Sequence, residues 1–169
     1  MHGYMSDKNN CKILSIESST ELCSVSVCVK SQMFFNEQHA SNKHTKMILP
    51  MIKNILREAR IAKEELDAVA FGKGPGSFTG VRVAAAVTEG ISFGLGIKIF
   101  GISTLHALAA AVLHTTKYDI ILATLDARMG EIYWALFRKE ADGMLQLIIA
   151  EQVSKFEEIM RQISIYCMQ

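Results

Sequence analysis

The sequence lacks a basic patch. Its 18 Lys and Arg residues are balanced by 17 Asp and Glu, a formal net charge of +1, and Arg138-Lys139 is the one adjacent basic pair. A domain that grips nucleic acid unaided carries clustered basic residues or a high pI. Any nucleic acid this chain meets is therefore expected to be held by a partner. A cysteine framework is missing too. Cys11, Cys23, Cys28 and Cys167 form no C-x-x-C pair, and the spacing of Cys23 and Cys28 places them on opposite faces of a strand. That excludes a zinc motif and a disulfide scaffold, and leaves reduced thiols in a cytoplasmic protein as the expectation. There is no long uninterrupted apolar run. Arg82, Glu89, Lys98 and His106 break up residues 81–113, which rules out a membrane span there. Residues 1–10 are polar and do not read as a signal peptide; residues 1–11 are expected to form a flexible lead.

What is present supports a core: 50% of the residues are apolar and 21% charged. Three runs of strand character come first, at 12–19, 23–30 and 32–39. Val25, Val27 and Val29 alternate with smaller or polar residues, and the short links predict an antiparallel meander. The period then changes. Met47, Met51, Ile55 and Ala59 fall four apart beside Ile48, Ile52 and Leu56, which predicts a helix over 45–59 that begins or kinks near Pro50. A strand over 66–72, a helix over 79–95, a strand over 97–102 and a Ser103-capped helix over 104–113 follow.

Three antiparallel strands and then alternating helices and strands are the order of a ribonuclease H-like α/β domain. The order then restarts with strands at 118–126, 131–138 and 145–150 and a helix at 154–166. The expectation is a first lobe over 12–115 and an incomplete, truncated second lobe of the same kind over 116–169.

Between the strand and the helix lies Phe71-Gly72-Lys73-Gly74-Pro75-Gly76-Ser77-Phe78-Thr79-Gly80-Val81-Arg82. Its place before a helix suits an anion or nucleotide contact by Gly74, Gly76, Ser77 and Thr79. The spacing fits neither the G-x-x-x-x-G-K-[ST] nor the G-x-G-x-x-G pattern. A sharp turn before a closely packed helix accounts for the same glycines. In the following helix, Val83, Val87, Ile91, Gly94 and Leu95 suit packing on a sheet. Arg82, Ala85, Ala86, Glu89 and Phe93 suit the approach of another helix, and Met47 and Met51 add adaptable side chains to such an interface.

Metal chemistry has little to stand on. His39 and His44 match no metal spacing, and His106 reads as a packing residue in an apolar helix. Glu17 ends the first strand either as an acidic contact or as part of a local turn. Asp126-Ala127-Arg128-Met129-Gly130-Glu131 reads as a hairpin turn with a surface ion pair.

Together, 13–20, 44–50, 72–82 and 126–135 make the chain resemble the TsaB (YeaZ) family. The resemblance implies two ribonuclease H-like lobes of the actin, chaperone and sugar-kinase type. It also implies a role in making N6-threonylcarbamoyladenosine at position 37 of tRNAs. In the related TsaD-type catalytic subunit, a His-x-Glu-Gly-His segment carries the metal; the corresponding stretch here is Ser103-Thr104-Leu105-His106-Ala107. Neither the paired histidine nor the glutamate is matched. The implied role is a non-catalytic scaffold that binds no cofactor alone and dimerises with the TsaD-type subunit through first-lobe helices. It would work with a TsaE-type ATPase, meet tRNA through the complex, leave ATP and metal to its partners, and form a homodimer when alone. The competing reading is a stand-alone ATP-dependent phosphotransferase or metallopeptidase of the same superfamily.

Overall fold

Alternation with period two builds the first sheet of the computed structural model, which describes residues 11–30, 32–40, 44–113 and 115–168, with the backbone alone at 44 and 167. The expected N-terminal lead falls, apart from Cys11, outside the described residues. Strands β1 (Ile13–Glu17), β2 (Leu22–Val29) and β3 (Gln32–His39) form the antiparallel meander. Leu14, Ile16, Cys23, Val25 and Val27 all point to one side and are fully buried. Strands β4 (Ala68–Gly72) and β5 (Lys98–Ile102) add parallel to β1 and to each other, giving the order β3-β2-β1-β4-β5.

Helices α1 (His44–Glu58) and α2 (Phe78–Leu95) close the core over the buried side of this sheet. Helix α1 begins six residues ahead of Pro50 and runs through it. Proline in a helix interior costs about 3 kcal/mol. Burying Ile48, Met51, Ile52 and Ile55 returns roughly 1.5–3 kcal/mol each. The apolar stripe therefore outweighs the missing hydrogen bond. A short 3-10 turn at Lys63–Glu65 precedes β4, and Glu65 is tied to the start of β1 by Lys12 Nζ at 2.7 Å.

The chain divides into two compact units, residues 1–102 and 103–169. The boundary expected after residue 115 lies instead before Ser103. Helix α3 (Thr104–Ala111) puts Leu105 and Ala109 into a core with Ile121, Ala123, Ala135 and Phe137. That places it in the second unit, where local spacing alone had attached it to the first.

The second unit adds β6 (Ile120–Arg128), β7 (Glu131–Lys139) and β8 (Leu145–Ser154), an antiparallel sheet in that order, and α4 (Phe156–Cys167). Strand β8 runs four residues beyond its expected end. Ser154 does not cap α4, whose N-cap is Lys155. The Ser154 hydroxyl accepts instead from Trp134 Nε1 at 3.2 Å. Among the described residues no helix is long and apolar enough to cross a membrane.

Candidate functional site

The glycine loop is built by close approach to the end of β1. A Cβ added at Gly80 would lie 1.7 Å from the Ser18 carbonyl oxygen, and one at Gly76 would lie 2.3 Å from that of Ser19. The contacts hold the two segments together. Ser77 N–H donates to the Ser19 carbonyl at 2.5 Å, and the Ser18 hydroxyl donates to the Gly80 carbonyl at 2.7 Å. The Ser77 hydroxyl caps α2 by accepting from Gly80 N–H at 3.3 Å.

Of the four residues expected to contact an anion, Ser77 thus has its N–H and hydroxyl engaged within the fold, Gly74 is buried, and Thr79 is exposed. Glu17 also puts a carboxylate beside the loop: a Cβ at Gly72 would collide with it. Its Oε1 accepts from Ser19 N–H at 2.5 Å, so Glu17 takes part in a local turn. A negative charge there opposes an anion. The geometry favours the sharp turn. Burial pushes the neighbouring Cys23 thiol up, with the Glu17 charge adding to the effect, so Cys23 is a core residue with little thiolate character.

The turn sets α2 close against the sheet, with Gly80, Ala84 and Thr88 as its fully buried row. Val83, Val87, Ile91 and Leu95 are half-buried at its flank, where they pack against the core. Gly94 was expected among them but is exposed. On the outer face, Phe93 is 93% exposed. Glu89 and Ala86 are exposed and Ala85 is half-buried. Arg82 stacks over the ring of Phe78, its guanidinium carbon 3.4 Å from the centroid, an arrangement worth about 0.5–1 kcal/mol at an exposed site.

The methionine expectation needs correction. Met51 is 3% exposed and belongs to the core, while Met47 is half-buried against it. Both lie on the stripe of α1 that turns toward the sheet. The apolar residue that α1 exposes is Leu49, at 59%.

Between the two helices lies a groove of about 780 Å3. Leu49 and Leu56 of α1 line one side, and Ala86, Gly90 and Gly94 of α2 line the other. Of the outer-face residues read from sequence, Ala86 alone reaches it. Gly90, Gly94 and Leu49 were missed, although three glycines within one helix were a visible signal. A mid-helix glycine costs roughly 1 kcal/mol relative to alanine and calls for a reason.

The remaining candidates are structural. The β6–β7 turn is a hairpin in which Asp126 Oδ1 accepts from Arg128 N–H at 2.7 Å, with an ion pair between the same side chains at 3.3 Å. His106 packs edge-on against Phe137, their ring centroids 5.4 Å apart. His39 ends β3, and the His44 side chain lies outside the described residues. Among the described residues no three His, Cys, Asp or Glu side chains gather in a way that could hold a metal ion.

A family model described as TsaD, tRNA N6-adenosine threonylcarbamoyltransferase, matches residues 32–168. The tRNA threonylcarbamoyladenosine biosynthesis protein TsaB of Haemophilus influenzae is 37% identical, over 91% of this chain and 68% of that protein. Its counterpart in Escherichia coli K12 is 35% identical, over 90% and 68%. The structure of YeaZ from Pseudomonas aeruginosa superposes with a TM-score of 0.79 at 34% identity, covering 85% of this chain and 67% of that one. The chain spans about two thirds of the length of these relatives.

Proposed function

The chain belongs to the TsaB (YeaZ) family, and on that premise we propose that it is a non-catalytic subunit of the complex that transfers a threonylcarbamoyl group to N6 of adenosine 37 in tRNA. It binds a TsaD-type catalytic subunit through α1 and α2 and works beside a TsaE-type ATPase in the cytoplasm. It meets tRNA within the assembly, leaves ATP and metal to its partners, and pairs with its own copy when none is present. The observation that carries this reading is the open α1–α2 surface. An apolar groove sits beside a phenylalanine ring that is 93% exposed, and exposed aromatic anchors are the residues interfaces are built around.

The names of the relatives support this over a stand-alone phosphotransferase or metallopeptidase. So does the stretch at 103–107. Ser103 there caps α3 by accepting from His106 N–H, and the stretch holds a single histidine and no glutamate.

Co-purification with the host's TsaD-type protein tests the reading. The wild-type chain is expected to co-elute as a complex. Phe93→Asp is expected to weaken binding at least about tenfold, or about 1.4 kcal/mol, with an unchanged melting temperature. Co-elution of Phe93→Asp at wild-type affinity would remove Phe93 from the interface, and failure of the wild-type chain to form the complex would end the subunit reading.

A further inference from the structure

We draw no further inference here: the strongest candidate, the outer edge of β6 in the second unit, where Ile120 and Leu122 lie exposed on a strand that pairs among the described residues with β7 alone, carries none because nothing in the structure shows what covers it.

Discussion

Gly80 and Thr88 lie two turns apart on the same buried row of α2 and illustrate opposite fates of a single atom. At Gly80 there is no room. The Cβ of an alanine would come within 1.7 Å of the Ser18 carbonyl oxygen, which is backbone and cannot swing away. Gly80→Ala is expected to cost about 3 kcal/mol, within the overpacking range, and to appear as a lower denaturant midpoint. At Thr88 there is an atom too many: its hydroxyl oxygen is fully buried without a hydrogen-bond partner. Valine keeps the shape and removes the desolvated oxygen. Thr88→Val is expected to stabilise the chain by about 1 kcal/mol and to raise the melting temperature by about 2–4 °C; an unchanged or lower value would mean that the hydroxyl is satisfied in solution. The glycines of the loop were legible in the sequence, whereas their reason was not. Spacing shows that the chain turns sharply, but the atoms that forbid a side chain belong to Ser18 and Ser19, some sixty positions away.

Elements show the same division. The helical period of 45–59 identified α1, and its two apolar rows were both visible. Both rows turn to the core, and how far round the helix that contact reaches depended on β2 and β3. Docking against them buried Met51 and left Leu49 outside, reversing the part expected of the methionines. In α2 the rows at 83–87–91 and 80–84–88 compete for the sheet, and the small residues won because the glycine turn brings the helix in close. The link between β1 and the 3-10 turn carries a pH signature. Hydrogen bonds from Lys12 and from Ala62 N–H, with the charge of Lys12, hold the Glu65 carboxyl below its ordinary 4.5. A carboxylate with a depressed folded-state pKa stabilises fully above the ordinary value and loses that contribution as pH falls through the folded one. Wild type is therefore expected to melt slightly above Glu65→Gln from neutral pH down to about 4.5, and the gap should close at lower pH. A gap that persists in strong acid would show that the carboxylate charge is not its source.

At the scale of the whole molecule, two separate cores decide how stability is distributed. Every residue of the first core lies before Ser103, and every residue of the second after it. The single tryptophan, Trp134, is fully buried in the second unit, so its emission reports that unit while circular dichroism reports both. Ile55→Ala, which empties a fully buried site of the first unit, is expected to cost about 2–5 kcal/mol there. It should lower the circular dichroism midpoint well before the Trp134 emission midpoint moves; equal shifts would show one cooperative transition. The sequence by itself determined the element types and their order. It also determined the antiparallel meander, the capping serine at 103, and the family, because periodicity, turn chemistry and motif are local properties of the chain. Tertiary structure alone decided that α3 packs with β6 and β7, that the glycine loop serves close approach, and that Gly90 and Gly94 face an open groove. Each of those outcomes depends on atoms distant in sequence. Local spacing tells which residues share a face, and only packing tells which face is left uncovered.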